Sequence, residues 1–232
     1  MPPPTTTEVP VLAIDGPSGS GKGTVSRIVA QRLGWRLLDS GALYRLVALA
    51  GMEGQLDPLD VPGHSALAGS MDVVFGVDAG GDERVLLGGR DVSKAIRMEE
   101  AGQGASRVAA WPAVRAALLQ RQRQFAAPPG LVADGRDMGT VVFPQAVLKI
   151  YLTATPHERA ARRHKQLKDK GSAVSLAALS REIAERDLRD STRAVAPLRP
   201  AEDALILDST GLPVVAVVER VLELGRRRSL WP

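Results

Sequence analysis

The stretch Gly16-Pro17-Ser18-Gly19-Ser20-Gly21-Lys22-Gly23-Thr24 constrains this chain more tightly than any other. It follows an apolar run that reads as a strand, Val11–Asp15. It precedes a helical pattern in which Val25, Ile28, Val29 and Leu33 share one face and Gly34 supplies a stop. Glycines let the backbone curl until several N–H groups point at one centre, and the N-terminus of the following helix adds partial positive charge. A loop of this kind between a strand and a helix cradles phosphate, with Lys22 placed to bridge the outer phosphates of a nucleoside triphosphate. Gly16, Pro17, Ser18, Gly19, Ser20, Gly21, Lys22, Gly23 and Thr24 are therefore the expected ATP-binding loop.

One position departs from the strict pattern. Serine or threonine ordinarily follows the lysine directly, whereas here Gly23 intervenes before Thr24. The Gly-Lys-Gly-Thr form is similar to that of nucleoside monophosphate kinases. It leaves open which hydroxyl, Thr24 or another, helps hold Mg²⁺, so no protein ligand is assigned to a metal and Mg²⁺ is expected to arrive with ATP. No Asn-Lys-x-Asp guanine motif is present, which argues against a GTPase.

Four further apolar runs read as strands: Arg36–Asp39, Leu131–Asp134, Val147–Leu152 and Ala204–Asp208. Several are apolar at nearly every residue, as in strands buried on both faces of a parallel sheet. Helical patterns lie between them, and Val214, Val217, Val218, Val221 and Leu222 mark one helix face near the end. This alternation predicts a doubly wound α/β fold with a five-stranded parallel sheet. Between Met71 and Ile96, two short β-like runs around Gly80-Gly81, with Gly88-Gly89 after the second, predict a small antiparallel insert. One kinase domain is expected over 11–232. Its core lies at about 11–45, 105–160 and 195–228, its insert at about 60–104 and a helical lid at about 161–194, with 1–10 a disordered tail. Lys165–Ser175 reads as the mobile part of the lid.

Transfer of a phosphoryl group between two nucleotides brings anions together, so the acceptor needs arginines of its own and water must be kept out. No general base is required, because the acceptor phosphate is already largely ionised near neutrality. The composition suits this chemistry: 24 of the 30 basic residues are arginine, the formal net charge is +4, and His64, His157 and His164 form no constellation and read as lone surface histidines. There are no cysteines, which excludes a disulfide scaffold, a thiolate metal site and a cysteine nucleophile. Arg45 and Arg136 follow strands, at the ends where ligands bind in open α/β sheets.

Together the segments Ile14–Thr24, Leu37–Arg45, Ala105–Arg115, Gly130–Pro144 and Glu185–Leu198 resemble bacterial cytidylate kinases. The run Asp134-Gly135-Arg136-Asp137-Met138-Gly139-Thr140 is the most specific part. The resemblance implies transfer of the γ-phosphoryl group of ATP to CMP and dCMP. It implies that Ser40, Ser106, Arg115 and Asp137 surround the cytosine and that Arg45 and Arg136 grip the acceptor phosphate. Arg186 and Asp190 would contact the ribose and Arg193 the phosphates, with Lys22, Arg136, Arg186 and Arg193 as the catalytic set. Arg159 or Arg162 would pack on adenine. A carboxylate accepting from cytosine N4 and an arginine donating to N3 would favour CMP over UMP, although the pattern equally allows Arg115 on an outer helix face. The alternatives are another acceptor, UMP or AMP, and, more remotely, an ATP-binding regulatory or nucleic-acid-binding module using Arg226-Arg227-Arg228. Low aromatic content, 3%, speaks against single-stranded nucleic acid. No apolar run approaches the roughly 20 residues that span a bilayer, and the Pro/Thr-rich start lacks signal-peptide character. A cytoplasmic monomer with small-molecule partners only is expected.

Overall fold

The computed structural model describes residues 9–77, 83–169 and 174–231. The expected turn at Gly80-Gly81, the Lys170-Gly171 part of the lid and most of the N-terminal tail lie outside the described residues. In chain order the elements are β1 (Val11–Asp15), α1 (Lys22–Leu33), β2 (Arg36–Asp39), α2 (Ser40–Glu53), α3 (Val61–Ser70), β3 (Val73–Val77), β4 (Glu83–Leu87), β5 (Arg90–Asp91), α4 (Glu99–Val108), α5 (Pro112–Arg123), β6 (Leu131–Gly135), β7 (Leu148–Thr153), α6 (Pro156–Asp169), α7 (Leu176–Ser191), β8 (Leu205–Asp208) and α8 (Val214–Arg226). A 3₁₀ turn, Ala95–Arg97, precedes α4, and a single π-helical turn, Met138–Val142, follows β6. The chain forms two compact units. One runs to Asp39 and resumes at Gln122; the other is Ser40–Arg121, within which the expected insert falls.

The first unit holds a five-stranded parallel sheet in the order β2-β6-β1-β7-β8. All five predicted strands are present. The central ones are buried on both faces: on one, Leu12, Ile14, Leu148 and Ile150 pack against Val25 and Val29 of α1 and Val217, Val218, Val221 and Leu222 of α8, and on the other the alternating Val11, Ala13, Leu131 and Ala133 are buried too. Val214, expected on that face, is the first residue of α8 and is exposed. The alternation in β8, where Leu205 and Leu207 face inward and Ile206 is exposed, follows from its place at the sheet edge.

The stop at Gly34 works as a left-handed cap. Gly34 has φ 64°, its N–H donates to Gln31, and the N–H of Trp35 donates to Ala30, which satisfies two carbonyls that the end of α1 leaves open. The end of α8 is anchored by Trp231. Its indole N–H donates to the Leu222 carbonyl at 3.0 Å, and its ring meets Trp35 edge-on with centroids 5.4 Å apart.

In the second unit, β3, β4 and β5 form an antiparallel sheet. Gly88 and Gly89 close its second hairpin with φ of 55° and 77°, the two positive values that a tight two-residue turn requires. β5 is a strand that the apolar pattern did not reveal, because it has only two residues and both are polar.

Candidate active site

The parallel register carries Asp15, Asp39 and Asp134 to the same end of the sheet, with Asp39 paired to Asp134 and Asp15 to Gly135. The glycine loop leaves the sheet there. At Gly16 a side chain is impossible, since a Cβ would stand 2.0 Å from the Leu152 carbonyl oxygen. Gly19 and Gly21 adopt φ of 78° and 90°, and Lys22 opens α1 with no acidic residue in its first turn, so the helix dipole is left for an external anion.

Side chains from other elements hold the outside of the loop. Arg159 donates to the Ser18 carbonyl at 3.2 Å and the Ala154 carbonyl at 3.1 Å, and forks onto Asp187 at 3.0 and 2.6 Å. Arg162 donates to the Ser20 carbonyl at 3.2 Å, to Ser209 Oγ at 3.0 Å and to the Ser209 carbonyl at 2.6 Å, and pairs with Glu158. Ser209 Oγ reaches the same Ser20 carbonyl at 3.1 Å. With these carbonyls engaged from outside, the loop's N–H groups are left to a ligand. Both arginines expected near adenine thus brace the phosphate loop. Asp187 and Ser209, which complete the brace, were not singled out in the sequence; the Asp-Ser-Thr run at the end of the last strand was the available signal for Ser209.

Lys22 is buried, and its Nζ donates to the Pro17 carbonyl at 3.2 Å, folding it over its own loop. Burial and the nearby Arg136 guanidinium hold its ammonium below the usual lysine range, against the pull of Asp134. Burial pushes the Asp134 carboxyl up, opposed by Lys22. Gly23 explains the departure from the strict loop pattern: a Cβ there would lie 3.2 Å from Asp134 Oδ2, so the carboxylate occupies the space beside the loop that a side chain would need. Asp134 Oδ1 and Ser20 Oγ are buried without a hydrogen-bond partner among the described residues.

On α7, Arg186 and Asp190 lie four residues apart on one face, with Arg193 just beyond the helix end. Arg136 pairs with Asp190, both largely buried. Burial alone would raise the Asp190 carboxyl, but Arg136, Arg186 and Arg193 together outweigh it, so Asp190 sits below the usual carboxylate range. Arg193 donates to the Ala196 carbonyl at 2.8 Å, and Asp137 is buried directly before the π-helical turn. Asp15, absent from the expected site, accepts the N–H groups of Met138 and Gly139, each at 2.8 Å. Burial pushes its carboxyl up to about 7 despite those two bonds.

In the second unit, Ser40 opens α2 and is buried, and Arg45 donates to the Ile96 carbonyl at 2.9 Å beside Gly102. The Ser106 hydroxyl is buried with no partner among the described residues. Arg115 is 7% exposed, donates to the Ala109 carbonyl at 3.3 Å and lies 5.7 Å from the centre of the Tyr44 ring, so it does not occupy an outer helix face. His64 corrects the expectation of a surface histidine. It is 4% exposed, its Nδ1 is 2.7 Å from the Asp60 carbonyl, and its ring meets Trp111 edge-on, a core role. Among the described residues, no cluster of three carboxylates or histidines could hold a metal by itself.

A phosphate loop at the carboxyl end of a parallel sheet, attended by buried lysine and arginines and by no histidine or serine base, defines an ATP-dependent phosphotransferase of the phosphate-loop class. The chain belongs to the cytidylate kinase family, whose sequence profile matches residues 12–227. It is 59% identical over 221 residues to the cytidylate kinase of Pseudomonas aeruginosa (strain LESB58), covering 95% of this chain and 96% of that one. It is 59% identical over 223 residues to that of Stutzerimonas stutzeri (strain A1501), covering 96% and 97%. To that of Pseudomonas syringae pv. tomato (strain DC3000) it is 58% identical over 216 residues, covering 93% and 94%.

Proposed function

We propose that this chain transfers the γ-phosphoryl group of ATP to CMP and dCMP, giving ADP and CDP or dCDP. The observation that carries the reading is the gathering of Lys22, Arg136, Arg186 and Asp190 around one another beside the phosphate loop. Cations gathered beside the loop are suited to charge that accumulates as a phosphoryl group passes between two anions. The loop N–H groups and Lys22 hold the donor phosphates, and Arg136, Arg186 and Arg193 neutralise the group in transit. Arg45 and Arg136 grip the acceptor phosphate, whose ionised oxygen attacks without a base. Arg186 and Asp190 contact the ribose.

Cytosine is read by Asp137 accepting from N4 and Arg115 donating to N3, with Ser40 and Ser106 as further contacts of the base. The unpartnered Ser106 hydroxyl supports this, since a buried polar group needs a partner that a base edge can supply. Arg159 and Arg162 serve ATP by bracing the loop. The unpartnered Asp134 Oδ1, on a carboxylate that lies beside Gly23, the residue before Thr24, fits a hydrated Mg²⁺ carried in with ATP, which keeps several of its waters. When bound, Mg²⁺ supplies charge neutralisation on the donor phosphates.

Steady-state assays with CMP, dCMP, UMP and AMP test the reading. CMP is expected to have a higher kcat/KM than UMP or AMP; UMP or AMP exceeding CMP overturns it. The basic tail gives no support to a nucleic-acid role, because Arg226 and Arg227 both pair with Glu223 of their own helix. No described helix is long and apolar enough to cross a membrane. A cytoplasmic monomer acting on small molecules completes the proposal.

A further inference from the structure

Asp15 ends β1, directly before Gly16, and is 5% exposed. Its Oδ1 accepts the N–H of Met138 and its Oδ2 that of Gly139, each at 2.8 Å. These residues open the π-helical turn whose N-cap is Asp137. The first N–H groups of a helical turn have no partner within it. The side chain of Asp137 does not cap them, and a carboxylate from a strand 123 residues earlier does so instead. Gly139 is closed on another side by the stem of Lys149, 3.1 Å from where a Cβ would stand, and Lys149 Nζ is fixed on Asp203 at 2.9 Å. The turn therefore cannot rotate without breaking two buried hydrogen bonds, which are charge-assisted once Asp15 ionises above about pH 7.

We propose that Asp15 is a positioning residue for acceptor choice: by capping the turn that follows Asp137, it fixes that carboxylate relative to the phosphate loop, which begins one residue after Asp15. The inference rests on Asp137 reading cytosine N4. Base discrimination through a hydrogen bond depends on placement to a fraction of an ångström. The phosphate loop itself is braced separately by Arg159, Arg162 and Ser209, so its shape does not depend on the two hydrogen bonds of Asp15.

Asp15→Asn keeps the shape but turns one acceptor oxygen into a donor that opposes an N–H. The test compares kcat/KM for CMP and UMP in the full-length wild type, Asp15→Asn, Asp137→Ala and the double variant. Asp15→Asn is expected to lower the CMP/UMP ratio about tenfold, as loss of one charge-assisted hydrogen bond implies, with the KM for ATP changing less than about twofold. The double variant is expected to fall no further than Asp137→Ala alone, because both act through one group. Gly139→Ala crowds the Lys149 stem and the Asp15 carboxylate without removing either, so it decides the matter if Asp15→Asn does not fold; its ratio is expected to fall as well. If Asp137→Ala lowers the ratio but Asp15→Asn (or, in its stead, Gly139→Ala) leaves it unchanged, or raises both nucleotides' KM alike, Asp15 only fastens the core. If none of the variants moves the ratio, Asp137 does not read the base, and this inference falls with that role while phosphorylation of CMP stands.

Discussion

The ammonium of Lys22 is buried beside Arg136 and Arg186, and its protonated form is disfavoured until a triphosphate arrives. An anion bound there favours the charged form, so near and above about pH 8 ATP binding takes up part of a proton. Affinity for ATP is expected to fall as pH rises on the alkaline side. Calorimetry in buffers of different ionisation enthalpy is expected to show net proton uptake that vanishes in Lys22→Ala. That variant is also expected to lose about 100-fold or more in kcat while the KM for CMP changes by less than about threefold, because its target is the donor. Asp15 has the opposite linkage to stability. Its carboxyl titrates near 3.8 when unfolded and about 7 when folded, so the folded state binds the extra proton between those values. Its contribution is fully present below the lower value and lost as pH rises through the upper one. The unfolding free energy of wild type minus that of Asp15→Asn is expected to decline from about pH 4 to pH 8 in urea titrations on the nucleotide-free protein; a flat difference would refute the shift.

At the scale of elements, α1 is held at both ends by backbone geometry, and the two ends serve different purposes. Its start is the phosphate loop, where Gly16 faces a carbonyl and no side chain fits. Its finish is Gly34, where φ is 64° and the space beyond is open. Gly34→Ala therefore meets no clash and bears only the left-handed strain, about 1–2 kcal/mol. A lower Tm with unchanged kcat and KM is expected, checked by thermal unfolding beside steady-state kinetics. The start and stop of α1 were both legible in the sequence because glycine marks each end, several in the loop before it and Gly34 after it. The π-helical turn was not legible. Its five residues show no helical period, and its cap comes from Asp15 across the sheet. The brace of Arg159 on Asp187 and of Arg162 on Ser209 was hidden for the same reason: side chains 28 and 47 residues apart meet only once the chain has folded.

For the whole molecule, what could be read from sequence was whatever local chemistry repeats: five apolar runs gave the parallel sheet, and paired glycines marked the second hairpin of the smaller sheet. Polar β5 and buried His64 escaped, since neither carries its environment in its neighbours along the chain. The proposed allocation of ligands to residues makes a prediction that does not depend on turnover. A ligand that binds only the folded chain stabilises it by RT ln(1 + [L]/Kd), about 2.7 kcal/mol at 100 times Kd. ATP and CMP, each added alone, are expected to raise the Tm of the wild type. Lys22→Ala is expected to lose most of the rise with ATP and keep that with CMP, because the loop and its lysine face the donor phosphates. Asp137→Ala is expected to do the reverse. Thermal unfolding at matched ligand concentrations measures both. If Lys22→Ala abolished the CMP response as fully as the ATP response, donor and acceptor could not be assigned to separate residues, and the gathering of cations around Lys22 would have to be read as a single anion site.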